Sequence, residues 1–112
     1  MSCSNLILLK RVELIIEALS NITEHTIKWT HFGDGPEKER LAQLASAKLG
    51  SDINWEFKGR IPNVQVLQWY AENNTFLFIN VSRSEGIPVS IMEAMSFGIP
   101  CIATDVGGNG EI

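Results

Sequence analysis

The sequence has little cysteine and no long apolar run, and each scarcity excludes a class of protein. Its two cysteines, Cys3 and Cys101, have neither zinc-site spacing nor the number needed for a disulfide framework. We expect Cys101, within the apolar run 100–103, to be a small core residue of a reduced protein. No stretch reaches the roughly 20 apolar residues that span a bilayer. Because the first residues also lack a secretion-signal pattern, a cytoplasmic location is predicted.

Basic residues are too few for a general nucleic-acid-binding surface. The formal net charge is −4 at pH 7, so an anionic ligand would need a local set of backbone amides with one or two cations. Metal ligands are also scarce, because His25 and His31 have no partner at ligand spacing and the chain has no D-x-D pair. We therefore expect no nucleic-acid partner and no metal cofactor.

Short apolar runs alternate with amphipathic segments, which is typical of parallel βαβ units. Val12, Ile15, Ile16 and Leu19 follow the i, i+3, i+4, i+7 spacing of one helix face. The strand runs are almost wholly apolar, as in strands covered by helices on both faces. We predict an α/β fold with a Rossmann-like parallel sheet flanked by helices. Strands are predicted at 5–9, 26–32, 53–58, 76–81 and 101–103, and helices at 12–19, 36–49, 63–71 and 88–97.

The loop after the fourth strand combines two acids with the start of a helix. Glu85 lies in this loop, and Glu93 lies on the second turn of the helix, roughly 7–8 Å along its axis. Unpaired amides at a helix N-terminus favour phosphate, and carboxylates accept hydrogen bonds from vicinal sugar hydroxyls. The candidate amide donors are Ile87, Val89 and Ser90. The alternative is that Glu85 is an ordinary first-turn acid and Glu93 a solvated helix residue.

Three further loops follow predicted strands. The turn 33–35 contains two glycines, which allow close backbone approach, and Asp34, which could cap the next helix. After the third strand, Arg60 and Ile61 could face a flat base, although a solvent-exposed arginine is an equal alternative. Lys10, after the first strand, could reach a diphosphate from the opposite side of the crevice.

The remaining conspicuous residues favour structural roles. The glycine-rich segment 104–111 resembles a phosphate cradle in composition, but it lacks the G-x-G-x-x-G spacing and the lysine of a P-loop. We expect it to be structural or to line the crevice wall. Trp29, Trp55 and Trp69 fall at apolar positions of strands or helices, so they are core candidates rather than ligand platforms.

Taken together, these elements resemble the C-terminal, donor-binding domain of the group 1 (family 4) retaining glycosyltransferases of the GT-B fold. The E-x7-E pair alone is short, but its combination with SRSEG, EAM, G-x-P and T-D-V-G-G in this order is specific. The resemblance runs through nearly the whole chain, in the segments 10–19, 33–36, 59–62, 82–88, 93–95, 98–100 and 104–108.

The resemblance implies a role for each matching residue in holding a nucleoside-diphosphate sugar. Glu93 would hold the ribose hydroxyls, and Glu85 would face the donor sugar as the catalytic residue. Lys10 and the amides at the helix start would bind the diphosphate, and the Arg60–Ile61 loop would meet the base. The implied donor-binding set is Lys10, Arg60, Ile61, Glu85, Gly86, Ile87, Val89, Ser90 and Glu93. Such folds usually need no metal ion, and no other cofactor is expected.

One departure and the extent of the chain qualify this resemblance. Asn5 stands where the family commonly has an arginine that neutralises the diphosphate, so either Arg11 compensates or the donor is held more weakly. The chain stops at 111–112, where a helix is about to begin. We expect residues 1–112 to be one truncated donor-binding domain, inactive without an N-terminal acceptor domain. The longer parent would use a polysaccharide, glycan or lipid acceptor, in the cytoplasm or at the inner membrane face.

Two other functions remain open. A nucleotide-sugar 2-epimerase shares the two-domain architecture and would favour additional histidine and acidic residues in the crevice, for which His31 is the one candidate. A non-catalytic α/β interaction or regulatory domain would carry Glu85 and Glu93 as surface acids. These motifs do not identify the base, the sugar or the acceptor.

Overall fold

The apolar runs and amphipathic segments fold into alternating parallel strands and helices, within residues 1–111, which the structure describes. The structure is a computed structural model. Its strands are β1 (Ser2–Cys3), β2 (Ile27–Phe32), β3 (Ile53–Gly59), β4 (Phe78–Asn80) and β5 (Cys101–Ala103). Its helices are α1 (Glu13–Ser20), α2 (Lys38–Lys48), α3 (Asn63–Glu72) and α4 (Val89–Ser96), with 3-10 helices at Leu8–Lys10 and Gly107–Glu111. The predicted fold, α/β with parallel strands flanked by helices, is confirmed.

The strands lie in the order β3-β2-β1-β4-β5. One parallel ladder contains β1, β2 and β3, and another contains β4 and β5. Two backbone hydrogen bonds join the ladders, from the Met1 amino group to Leu77 O at 2.9 Å and from Ile79 N to Met1 O at 3.0 Å. The order therefore reverses between β1 and β4. In doubly wound sheets, the crevice outside the strand ends at this reversal is the usual ligand site.

Two apolar clusters cover opposite faces of the sheet. Trp29 and Phe32 of β2 point to opposite faces, because side chains alternate along a strand. Trp29 packs with the buried residues of α1 and α2, and Phe32 packs with those of α3 and α4. Phe32 and Phe78 are fully buried, and truncation of such a residue to alanine costs about 3–5 kcal/mol. These clusters hold the strand ends that carry the loops.

The predicted strand at 5–9 is wrong. The first strand is Ser2–Cys3, after which the chain enters a loop and the 3-10 helix Leu8–Lys10. Leu6 is fully buried, whereas Leu8 is 66% exposed. An unbroken apolar run does not reveal which of its side chains enter the core, so periodicity could not separate this loop from a buried strand.

Helices do not cover both faces of β3, although its apolar residues suggested full burial. Buried Ile53 and half-buried Trp55 and Phe57 alternate with exposed polar residues along this strand. β3 lies at the edge of its ladder, where one face of the strand can remain in water. Such alternation is typical of a strand covered on one side.

The glycine turn after β2 makes the close backbone approach that its composition predicted. A Cβ atom on Gly33 would lie 1.8 Å from Ser4 O, and the φ angle of 130° at this residue favours glycine. Ser4 belongs to the loop after β1. The turn therefore packs directly against that loop, and any residue larger than glycine at position 33 would displace it.

Several boundaries and packing positions differ from the sequence prediction. α2 begins at Lys38 rather than at its preceding proline, and Asp34 does not cap it, because its Oδ1 accepts a hydrogen bond from the next amide at 2.8 Å. Asn63 is the first residue of α3 rather than its cap. Cys101, expected in the core, is half-buried at its margin. Ile112, where the sequence suggests a further helix, lies outside the described residues.

Candidate functional site

A cleft of about 380 Å³ opens at the carboxyl ends of the strands, where the strand order reverses. The loops after β1, β2, β3 and β4 form its walls together with α3 and the N-terminal half of α4. Every predicted site residue except Gly86 lines it: Lys10, Arg60, Ile61, Glu85, Ile87, Val89, Ser90 and Glu93. The tertiary structure thus brings together side chains that are far apart in sequence.

Glu85 is held on the β4 side of the cleft by side chains from two loops. Its Oε1 accepts hydrogen bonds from Lys10 Nζ at 3.2 Å and from Asn80 Nδ2 at 3.1 Å. Asn80 is the buried last residue of β4, and its Oδ1 accepts a hydrogen bond from Ser82 N at 3.0 Å. The Glu85 side chain is only 12% exposed. These contacts hold the carboxylate in one position at the edge of the cleft.

The surroundings of Glu85 favour its ionised form. Burial acts in the opposite direction, because removing water from a carboxyl raises its pKa. Hydrogen bonds from Asn80, Ser82 and Lys10, together with the positive charge of Lys10, outweigh this effect and lower the pKa of Glu85 below its ordinary value. A fixed carboxylate of this kind can stabilise positive charge that develops on a bound group.

Glu93 faces the first residue of α3 across the cleft. With the side-chain amide of Asn63 turned so that its nitrogen faces the carboxylate, this nitrogen lies 3.0 Å from Glu93 Oε2 and 3.3 Å from Oε1. Burial, with the charge of Glu93, raises the pKa of the neighbouring Cys3 to about 11, so this thiol is protonated at neutral pH. Glu93 is half-buried, and its oxygens can accept further hydroxyl protons.

The start of α4 offers fewer amide donors than the sequence predicts. Val89 lines the cleft, but its N–H already donates to Ile87 O at 2.9 Å. Ser90 is an early helix residue, so helix geometry leaves its amide without an intrahelical acceptor. No side chain of residues 1–111 caps this helix. Of the three predicted amide donors, the Val89 amide is therefore already engaged; ligand binding by the Ile87 and Ser90 amides stays a prediction.

Gly86 lies behind the cleft rather than in its lining. Its carbonyl accepts a hydrogen bond from Gly108 N at 3.2 Å. Gly107 approaches the same loop still more closely, because a Cβ atom there would lie 1.5 Å from Glu85 O, and its φ angle is 53°. The glycine-rich segment 104–111 thus packs against the back of the Glu85 loop, which agrees with its structural interpretation.

Asn5 lines the cleft. It stands at the position where the family that this sequence resembles commonly has an arginine. Arg11 does not supply the missing charge, because the described cleft lining does not include it. Its guanidinium instead donates from Nε to Val81 O at 2.9 Å and from Nη2 to Ser82 O at 3.3 Å. Lys10 is therefore the cation that the cleft presents beside Glu85.

The wall opposite Glu85 combines an exposed cation with apolar side chains. Arg60 is exposed and Ile61 half-buried, and both line the cleft where the chain passes from β3 to α3. Phe32, Val66 and Tyr70 form a buried floor beside them. The exposed guanidinium of Arg60 can stack on a planar base, and Ile61 adds apolar surface beside it.

Sequence reasoning missed several residues of this site. Asn80 donates a hydrogen bond to Glu85, Asn63 contacts Glu93, and Tyr70 contributes to the floor. One signal was available for Asn80, since it is a polar residue within the apolar run 76–81, at the point where the strand ends. Asn63 had the ordinary signature of a helix start, which gave no indication of a partner on α4.

His31 lies outside the described cleft lining and is fully buried at the β1–β2 contact. Its Nδ1 accepts a hydrogen bond from Ser2 Oγ at 2.6 Å, and its Nε2 donates to Ser4 O at 3.0 Å. Burial lowers the pKa of His31 to about 4, so the ring is neutral at pH 7. These contacts give His31 a structural role between neighbouring strands.

Within residues 1–111, no group of three or more histidine, cysteine, aspartate or glutamate side chains could hold a metal ion. In the same range, every helix is too short or too polar to cross a bilayer. Cys3 and Cys101 are both free thiols.

Comparison with known proteins matches almost the whole chain. The family model described as Glycosyl transferases group 1 covers residues 2–112. The N-acetyl-alpha-D-glucosaminyl L-malate synthase of Bacillus anthracis is 34% identical over 110 residues, which is 97% of this chain and 28% of that protein. The lipopolysaccharide 1,6-galactosyltransferase of Salmonella typhimurium is 37% identical over 100 residues, which is 86% of this chain and 26% of that protein.

A solved structure shows the same arrangement of strands and helices. The lipopolysaccharide outer core galactosyltransferase WaaB, in its apo form, matches with a TM-score of 0.80 at 27% sequence identity. The match covers 98% of this chain and 31% of that one. The chain therefore spans between a quarter and a third of the length of these relatives.

Proposed function

The chain belongs to the group 1 glycosyltransferases, and from this membership we propose that its cleft binds the nucleoside-diphosphate sugar donor of a retaining glycosyl transfer. The ribose hydroxyls bind Glu93, and the donor sugar lies at Glu85. Lys10 and the amides of Ile87 and Ser90 bind the diphosphate, and the Arg60 loop faces the base. The proposal includes no metal, because a cation and helix amides can neutralise a diphosphate.

One observation supports this assignment above the others: Lys10, Glu85 and Glu93 converge on a single cleft at the strand reversal. They come from the loop after β1, the loop after β4 and α4. This cleft lies between the carboxyl ends of the strands and the N-terminus of a helix. Two unrelated surface acids would not be expected to line the same cleft as a lysine. Nor would a surface acid need the buried Asn80 to hold it.

Retention of configuration is proposed from the family membership alone, whereas the charges of the cleft bear on how the leaving group departs. When the bond to the leaving group lengthens, negative charge develops on the diphosphate and positive charge on the sugar. Lys10 and the Ser90 amide face the negative charge, and the ionised Glu85 carboxylate faces the positive one. Because Lys10 pairs with Glu85 at 3.2 Å before the donor binds, the two groups are already adjacent where both charges arise.

We further propose that this sequence is the donor-binding part of a two-domain enzyme, since it spans 28% of the malate synthase and 31% of WaaB. An N-terminal domain would supply the opposite wall and the site for a polysaccharide, glycan or lipid acceptor. The enzyme would act in the cytoplasm or at the inner face of the membrane. Without that wall, this chain would bind a donor but would not transfer its sugar.

The competing functions lose the features that favoured them. The 2-epimerase hypothesis depended on His31 as a crevice histidine, but the ring is buried and hydrogen-bonded between β1 and β2. A non-catalytic domain would carry Glu85 as a free surface acid, but its side chain is 12% exposed and held by Asn80 and Lys10. The transferase proposal is consistent with the buried His31 and requires the ordered Glu85.

Nucleotide binding by this chain tests the donor site. UDP, GDP and ADP are titrated separately into isotope-labelled protein and followed by NMR, which detects weak binding. For a cleft with one wall we expect a Kd in the millimolar range, about −4 kcal/mol. The largest shifts should fall at the amides of Ser90 and Glu93, because these lie where the diphosphate and the ribose bind.

A matched pair of variants identifies the binding residue. Glu93→Gln keeps the size of the side chain but removes its charge, so it should weaken binding about tenfold. Glu39→Gln changes an exposed glutamate of α2 outside the cleft and should leave the Kd unchanged. The assignment fails if none of the three nucleotides causes shifts at ~20 mM, or if Glu93→Gln binds as well as the wild type.

A further inference from the structure

Arg11 has an unusual backbone conformation next to Lys10. It follows the 3-10 helix Leu8–Lys10 with φ 50° and ψ 40°, in the left-handed region. Among the described residues, it alone combines a side chain with a positive φ angle. Glycine commonly occupies this position after a helix, because any other residue is strained there. Something in the structure must therefore hold Arg11 in this conformation.

The side chain of Arg11 stabilises this conformation by hydrogen bonds to the loop that follows β4. Its Nε donates to Val81 O at 2.9 Å, and its Nη2 donates to Ser82 O at 3.3 Å. A backbone hydrogen bond, from Arg83 N to Leu9 O at 2.8 Å, joins the same two loops. Charged donors form stronger hydrogen bonds than neutral ones, so the guanidinium can offset the strain of its own backbone.

We propose that Arg11 is a positioning residue, whose guanidinium holds the left-handed turn that brings Lys10 against Glu85. Lys10 and Glu85 sit on loops that the backbone hydrogen bond from Arg83 N to Leu9 O also joins. By offsetting the strain of the turn, the Arg11 guanidinium keeps Lys10 directed at Glu85, 3.2 Å away. Arg11 is not among the described residues that line the cleft. Its consequence for donor binding rests on the proposed function, but its effect on the Lys10–Glu85 pair does not.

Two substitutions at this position have opposite expected results. Arg11→Ala keeps the strain of a left-handed L residue and removes the hydrogen bonds, so the turn should relax and withdraw Lys10. Arg11→Gly removes the same hydrogen bonds together with the strain, so the turn should persist. A residue needed only for packing or charge would give the same result with both substitutions.

The readout is the pKa of the Glu85 carboxyl, followed by NMR, because Lys10 contributes to its lowering. Arg11→Ala should raise the pKa of Glu85 toward its ordinary value, and Arg11→Gly should leave it close to that of the wild type. Arg40→Ala is the matched control, because Arg40 is an exposed arginine that pairs with Glu13 and Glu37 away from the cleft. It should leave the titration of Glu85 unchanged.

The results of these titrations distinguish failure of the Arg11 proposal from failure of the proposed donor site. The proposal is overturned if Arg11→Ala titrates like the wild type, or if Arg11→Gly shifts as far as Arg11→Ala. An alanine variant that does not fold, beside a glycine variant that folds and keeps the pair, supports it. For a nucleotide that binds the wild type, Arg11→Ala should raise the Kd about threefold to tenfold. If the wild type binds no nucleotide, the proposed function fails, but the Glu85 titration still decides the role of Arg11.

Discussion

The two carboxylates of the cleft are held in different ways. On the Glu85 side, which comprises Lys10, Arg11, Asn80, Glu85 and Gly107, side chains and backbone interlock, and Glu85 is 12% exposed. On the Glu93 side, which comprises Arg60, Ile61, Asn63 and Glu93, the carboxylate has one polar contact among the described residues, from the exposed Asn63.

The difference separates structural from binding roles within one cleft. A satisfied, largely buried polar network depends on each of its members, whereas an exposed polar contact contributes little to stability. Substitutions on the Glu85 side should therefore change both the stability of the fold and the position of the catalytic candidate. Substitutions on the Glu93 side should act mainly on ligand affinity.

The largest effect should come from filling the space behind Glu85. In Gly107→Ala, the new methyl group would lie 1.5 Å from Glu85 O at a φ angle of 53°, so the loop must move or the strand end must open. We expect a loss of about 3 kcal/mol or more in the free energy of unfolding, measured with urea.

Gly98→Ala, just past the end of the helix that carries Glu93, is the control for this substitution. Gly98 has a φ angle of 72°, but no atom lies within 4 Å of a Cβ built there. We therefore expect backbone strain alone to lower the free energy of unfolding, by about 1–2 kcal/mol. Equal losses in the two variants would contradict the packing of the glycine-rich segment against Glu85.

A smaller effect should follow removal of the amide that holds Glu85. Asn80→Leu leaves the buried Ser82 amide without its acceptor at 3.0 Å and removes one donor to Glu85. The expected loss is about 1–3 kcal/mol of unfolding free energy, with a higher pKa for Glu85 in an NMR titration. A variant that keeps both values at the wild-type level would show that Asn80 does not hold this loop.

Acidification should reduce the contribution of Glu85 to stability. Because its pKa in the folded chain lies below the ordinary value of 4.5, the unfolded chain takes up the proton first as the pH falls. The stabilisation is complete above the unfolded-state pKa and is lost as the pH falls through the folded-state pKa. In urea unfolding, the stability advantage of wild type over Glu85→Gln should therefore shrink between pH 7 and about 3.

Two comparisons check this pH dependence. His31, with a pKa of about 4, titrates in both proteins, so its contribution cancels in the difference. Lys10→Met should raise the pKa of Glu85, whereas Lys38→Met, at the start of α2 and outside the cleft, should leave it unchanged. A stability difference that stays constant with pH would argue against an ionised, stabilised Glu85.

The smallest effect on stability should occur on the Glu93 side. Asn63→Ala removes an exposed side chain at the start of α3, so the free energy of unfolding should change by less than about 0.5 kcal/mol. Thermal unfolding measures this change directly. A loss as large as that of Asn80→Leu would remove the distinction between the two sides of the cleft.

Most of the fold class could be predicted from the sequence, because hydrophobic periodicity reflects which face of an element is buried. The stripe of α1 and the apolar runs of β2 and β4 place these elements within a few residues of their observed positions. The strand predicted at 5–9 failed, because all its residues from 6 onward are apolar and only packing selects Leu6 for the core.

The candidate site was predictable only in part. Lys10, Glu85 and Glu93 follow from motifs and from the rule that ligands bind at strand ends, and all three line the cleft. The amide of Val89 could not be judged in advance, because its hydrogen bond to Ile87 O depends on a local turn. Asn80 was missed because hydrogen-bond partners across a loop leave no periodic signal.

By itself, the sequence determined the alternation of elements and the residue types available for binding, because local periodicity and motif spacing are properties of neighbouring residues. Only the tertiary structure decided which of those residues meet. It placed Lys10 against Glu85 across the strand reversal and turned Arg11 toward the carbonyls of the loop after β4. It also buried His31. Contacts between distant residues depend on strand order and three-dimensional packing, which no local pattern specifies.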